Sequence, residues 1–238
     1  MAFEFTVRLN REINMKVKVS AFLMLLSLAF VCKSEVDIKV CDIGGAAANK
    51  GNHKLAVIEF TKCLSIDNLD QEFRARAYQA RAWSHFNLNN GIAAVEDQEA
   101  SFKLVTPKNY NEFINYASYL RRIERYEDSI KPLKAAIAID EKNSRVWMMT
   151  LYNLGWSLQE LQRYQESIEA FTKGIPAQPD FPFVYWRRGL SYHSLGMRDE
   201  AKRDFQEYKI QIEKSTMEVP PALKQEITEI LSLYKLNK

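Results

Sequence analysis

The sequence predicts an all-α chain, a right-handed solenoid of about five helix pairs closed by one further helix. Three observations carry that expectation. Two small residues twelve positions apart recur five times: Gly44 with Ala56, Ala82 with Ala94, Ala117 with Ser129, Gly155 with Ser167, and Gly189 with Ala201. Four positions after each second small residue stands Phe60, Gln98, Leu133, Phe171 or Phe205, so that only the second pair departs from an apolar rule. The pairs follow one another at 38, 35, 38 and 34 residues, self-similarity at a solenoid period.

Small residues at matched positions let two antiparallel helices approach closely while bulky neighbours fill the grooves beside them. The stretch Tyr185 to Tyr208, YWRRGLSYHSLGMRDEAKRDFQEY, shows the pattern most fully, with Tyr185 and Tyr192 flanking Gly189 and Phe205 one turn after Ala201. It resembles the tetratricopeptide repeat, whose signature is W-x-x-L-G-x-x-Y, then A-x-x-x-F, then Pro. The resemblance implies binding of other proteins through a concave surface lined by the first helix of each pair, with no cofactor.

Taken in order, residues 1–34 read as a targeting segment. Lys16 and Lys18 precede an apolar run from Val19 to Val31, the n-region and h-region of a secretory signal peptide. Thirteen residues fall short of the roughly 20 needed to span a bilayer. Met15 is the natural start by this reading, and residues 1–14 an upstream extension. Cys32 follows the run where a bacterial lipoprotein carries its lipid, although Val31 departs from the small residue that such a site expects. Lipidation at Cys32, which would attach the chain to a membrane, and cleavage after Cys32 or Ser34 both stay open, as does an uncleaved anchor on an intracellular adaptor or co-chaperone. Of 33 basic and 30 acidic residues, five basic and two acidic fall within 1–34, so the remainder balances at 28 each. A neutral body argues against a nucleic-acid-binding stripe.

The helical array is expected over residues 35–215. Cys41 and Cys63 both lie in the first pair, where facing helices allow a disulfide; the alternative taken here is that Cys63 serves as a small packed side chain. The GGAAANKG stretch lacks the G-K-[ST] ending of a phosphate loop. The intervals longer by about four residues correspond to one additional helical turn, placed at Leu69–Ala75 and Ser144–Met148. Asn89, Asn90 and Gly91 mark a turn, Asn109 with Glu112 a capping box, and Pro132 a kink in the third pair's second helix. Gly174 and Pro176 stop the next helix, and Asp180 with Pro182 opens another. Over 219–236, Leu223, Ile227, Ile230, Leu231 and Tyr234 form one apolar stripe opposite Lys224, Gln225, Glu226 and Glu229, the pattern of a capping helix.

Catalytic signatures are missing: His53, His85 and His193 lie in different repeats, and neither H-E-x-x-H, C-x-x-C nor G-x-S-x-G occurs. The candidate site is therefore the partner-binding groove, with Trp83 and Phe86 in the second repeat, Asn115 and Arg122 in the third, Tyr152, Asn153 and Trp156 in the fourth, and Trp186 and Arg187 in the fifth. Aromatic and arginine side chains are the usual anchors of interfaces. For Trp83 and Trp156, packing between repeats is the competing role. Asn153 and Arg187 also resemble the asparagine and arginine of tetratricopeptide domains that clamp a C-terminal carboxylate. That clamp's lysine positions hold Ile114 and Phe183 here, and its second asparagine Ser118, so two of five positions match.

Overall fold

The computed structural model describes residues 39–139 and 144–236; the signal-peptide segment and Cys32 lie outside them. Every regular element among the described residues is helical. After α1, described over 39–49, come α2 (His53–Leu64), α3 (Gln71–Asn87), α4 (Gly91–Leu104), α5 (Tyr110–Arg122), α6 (Tyr126–Ile139), α7 (Arg145–Glu160) and α8 (Tyr164–Gly174). A 3-10 turn (Ile175–Ala177), α9 (Pro182–Ser194), α10 (Arg198–Lys214) and α11 (Pro221–Leu233) complete the chain. No described helix is long and apolar enough to cross a membrane.

Two first helices are longer, as the repeat intervals require. α3 and α7 run 17 and 16 residues, against 13 each for α5 and α9. The gain lies before the small residue. α3 starts eleven residues ahead of Ala82 and α7 ten ahead of Gly155, where α5 and α9 start seven ahead of Ala117 and Gly189. A full turn added there leaves the buried face in register.

Each pair also reverses at one fixed offset. Gly51, Asn89, Glu124, Gln162 and Gly196, each seven positions after the first small residue, take positive φ between 59° and 75°. Only Gly51 and Gly196 meet that left-handed conformation without a Cβ penalty. Asn89 rather than Gly91 bears the turn after α3, because Gly91 is already the first residue of α4.

The chain divides into two compact units. The first holds α1, α2, α3 and residues 96–105. Phe60 lies on Gly44, where an added Cβ would sit 3.1 Å from the ring. Cys41 and Cys63 are joined by a disulfide with Cα atoms 5.1 Å apart. This corrects the expectation that Cys63 only packs: the antiparallel course of α1 and α2 carries both thiols to one point of the helix contact. Arg81 of α3 donates from Nε and Nη2 to both carboxylate oxygens of Asp97 on α4 at 2.8 and 2.7 Å, and from Nη1 to Thr61 of α2 at 2.9 Å.

The second unit holds 91–95 and everything from Thr106. Here α5 pairs with α6, α7 with α8 and α9 with α10, and α6 and α8 pack in turn on α7 and α9. A Cβ on Gly155 would lie 2.6 Å from Phe171, and one on Gly189 2.7 Å from Phe205, so the glycines are what admits these rings. Successive pairs meet through hydroxyls: Ser129 bonds Ser157 at 2.8 Å and Ser167 bonds Ser191 at 3.0 Å, each joining a small residue of a second helix to the next first helix. Arg188 repeats the part of Arg81, bidentate to Asp204 at 2.8 and 2.7 Å and reaching Thr172 at 3.0 Å.

Local signals were met with three adjustments. Asn109 Oδ1 accepts from the Glu112 backbone amide at 3.1 Å, while the Glu112 carboxylate accepts from the Lys108 backbone amide at 3.1 Å and from the Asn109 side-chain amide at 2.6 Å rather than from the Asn109 backbone. α6 runs on through Pro132, which is buried. Phe181, not Asp180, precedes α9, and Pro182 takes the first helical position, where its missing N–H costs nothing. α11 docks through Ile227 and Tyr234, the latter against Phe205 at 5.0 Å between ring centroids and hydrogen bonded to His193 at 2.8 Å. Lys224, Gln225, Glu226 and Glu229 face solvent.

Candidate partner-binding site

Within the second unit α5, α7 and α9 are neighbours, and one rule links them. The residue four after the small one on a helix meets the residue two before the small one on the next. Thus Arg121 of α5 donates from Nη1 to Asn153 Oδ1 of α7 at 2.5 Å. Likewise Gln159 of α7 meets Arg187 of α9, whose Nη1 donates to Gln159 Oε1 at 3.0 Å while Gln159 Nε2 donates to the Arg187 carbonyl at 2.9 Å.

Trp156 occupies the centre. The guanidinium carbons of Arg121 and Arg187 lie 4.1 and 3.9 Å from its ring centroid, close cation–π contacts to one indole. The indole Nε1 donates to Glu160 Oε1 at 2.7 Å, and Arg187 Nη1 donates to the same oxygen at 3.3 Å. The Arg187 side chain is 14% exposed and that of Glu160 36%, so the carboxylate is the member of the cluster nearest solvent. Arg121 Nε is buried without a hydrogen-bond partner among the described residues. Burial, with the Arg187 cation adding to it, pushes the Arg121 guanidinium down to about 10, still charged at neutral pH. Burial raises the Tyr152 phenol beside it, opposed by Arg187.

The residues expected at the site divide. Asn153, Trp156 and Arg187 come together, half-buried, and Tyr152 lies beneath Trp156 in an edge contact at 6.1 Å. Trp186 does not belong. It is 1% exposed, packed on Phe205 and Tyr208 at 5.1 and 5.2 Å, which corrects its placement as a surface anchor. Tyr152 holds the equivalent position in the fourth pair, 8% exposed against Phe171. A side chain three before the small residue therefore turns toward the second helix of its own pair. Asn115 is half-buried on α5, and Arg122 is exposed one residue past the arginine that builds the cluster. Trp83 and Phe86 are on α3, in the first unit, their rings stacked at 6.0 Å with Trp83 44% exposed.

Glu160 was expected on the groove of the fourth repeat, whereas Arg121 and Gln159 were not foreseen as site residues. Their sequence signal is the matched pair of polar side chains at two fixed offsets, Arg121 with Asn153 and Gln159 with Arg187. A second unforeseen feature, the buried Arg81–Asp97 and Arg188–Asp204 pairs, is structural and has an equally regular signal: Arg one before the first small residue, Asp three after the second.

Tetratricopeptide repeat models match residues 41–68, 150–181 and 183–210. Those three stretches match the tetratricopeptide repeat. Residues 69–149 lie outside those matches and include Gln98 and Pro132, both buried at core positions of their pairs. No curated protein matches this chain in sequence. Among solved structures it is similar to MamA, at TM-score 0.66 and 24% identity over 79% of this chain and 100% of that one. It is similar also to residues 41 to the end of MamA from Desulfovibrio magneticus RS-1, at TM-score 0.67 and 15% identity over 76% and 97%. A third is YrrB, described as a TPR protein with an unusual peptide-binding site, at TM-score 0.63 and 14% identity over 72% and 84%. Identity at this level establishes the all-α tetratricopeptide fold and nothing beyond it.

Proposed function

We propose that the chain is a non-catalytic scaffold of the cell envelope, holding a peptide or helical segment of another protein against the shared face of α5, α7 and α9. The observation that carries this reading is the cluster of Trp156 with Arg121 and Arg187. An aromatic ring and two guanidiniums gathered from three successive first helices are side chains of the kind that dominate interface energetics, and the solenoid frame holds them in place. The peptide-binding site reported for YrrB supports the class of ligand. The Cys41–Cys63 disulfide supports the compartment, because such bonds persist in oxidising surroundings and are rare in the cytosol. The lysine-led apolar run of Val19–Val31 points the same way, with Cys32 as either a lipid attachment point or part of a cleaved leader.

Two measurements test the proposal. Trp156→Ala combined with Arg187→Ala should leave helicity unchanged and lower recovery of partners bound by the wild type, with a loss of roughly 2 to 4 kcal/mol for a hot-spot pair. Undiminished recovery would move binding to another surface. Mass spectrometry of the mature N-terminus should find a start near Glu35 or a diacylated Cys32, and a residue-1 start would remove the envelope assignment.

A further inference from the structure

Two cations beside one partly buried ring repel each other, and the molecule offsets only part of that repulsion. Arg187 has a carboxylate partner, Glu160, at 3.3 Å. Arg121 hydrogen bonds to the neutral amide of Asn153 and leaves Nε buried without an acceptor. The cluster thus carries two positive charges and one negative one, and its single carboxylate sits at the solvent edge, tethered to the Trp156 indole by a hydrogen bond within one helical turn. A carboxylate arriving from outside would meet the guanidiniums and the indole N–H that Glu160 now engages, in a setting where burial strengthens charge-assisted hydrogen bonds.

Resting on the reading above of this face as the partner-binding surface, we propose that Arg121, Trp156 and Arg187 receive an acidic side chain of the partner segment, and that Glu160 is an internal stand-in which that side chain displaces. Glu160 then has two effects. It shields the arginines in the free protein, and it raises the threshold for partners by the fraction of molecules in which it occupies the site. A neutral segment gains nothing from displacing it, so the device selects for acidic ones.

The test uses the full chain and two synthetic peptides, acetyl-(Glu-Ala)4-amide and acetyl-(Gln-Ala)4-amide, followed by the Trp156 indole N–H in a two-dimensional nitrogen–proton spectrum, with Trp156→Phe to assign that resonance. Breaking the Trp156–Glu160 hydrogen bond moves the signal directly. The glutamate peptide should shift it saturably and the glutamine peptide should not, Glu160→Gln should tighten the glutamate peptide by roughly threefold or more, and Arg187→Gln should abolish the shift. Equal response to both peptides overturns the acidic selectivity while leaving the face as a peptide site. Unchanged affinity in Glu160→Gln overturns the stand-in role. A Trp156 signal indifferent to the glutamate peptide in both wild type and Glu160→Gln overturns the proposal entirely, whereas the partner-recovery experiment judges the surface itself.

Discussion

Gly155 faces Phe171 so closely that a methyl group at its Cβ position would stand 2.6 Å from the ring. Phe171 is fully buried, so Gly155→Ala should cost about 1 to 3 kcal/mol by overpacking, read from denaturant midpoints. Gly45, one residue past the corresponding glycine of the first pair, meets nothing within 4 Å. There the same change should be neutral or gain about 0.5 to 1 kcal/mol from the lower chain entropy of alanine. Gln98 is the complementary case. It fills the slot that Phe60, Phe171 and Phe205 fill elsewhere, is 1% exposed, and has its amide Nε2 buried without a partner among the described residues. Gln98→Met keeps the length and removes the orphaned donor, and should stabilise the first unit by about 1 kcal/mol in the same measurement. A loss instead would mean that the amide has an acceptor in solution.

At the scale of elements, helices are joined by two kinds of polar contact. The serine pairs Ser129–Ser157 and Ser167–Ser191 are small and satisfy both members. The arginine–aspartate pairs are larger commitments. Arg188 and Asp204 are 16% and 7% exposed, and burial raises the Asp204 carboxyl against the opposing pull of Arg188. Desolvating both charges offsets much of their attraction, so the pair adds register between α9 and α10 more than net stability. Asp204→Ala, which strands the guanidinium, should cost about 3 kcal/mol, whereas Arg188→Met with Asp204→Leu should come close to the wild type. Chemical denaturation of the three proteins decides this, and equal losses in the single and double variants would mean that the pair itself carries the stability.

For the molecule as a whole, the disulfide fixes only the first pair. Replacing Cys41 and Cys63 by alanine should lower the stability of α1 and α2 by about 2 to 4 kcal/mol, seen as faster amide exchange over residues 39–64, with exchange over α7 to α10 unchanged. Uniform loss of protection along the chain would show that all helices unfold together. The sequence by itself determined the number and spacing of the helix pairs, the longer α3 and α7, and the capping stripe of α11. These are periodicities set by the rise and pitch of a helix, and they read out locally. Only the tertiary structure decided which side chains share a surface. Neighbouring residues on a helix differ by about 100° in direction, so one step separates Arg121 in the cluster from Arg122 outside it. Trp156 and Trp186 part for the same reason. They stand at different offsets from their small residues, one facing the neighbouring first helices and the other the second helix of its own pair. The disulfide depended likewise on the antiparallel course of two helices bringing together thiols 22 residues apart.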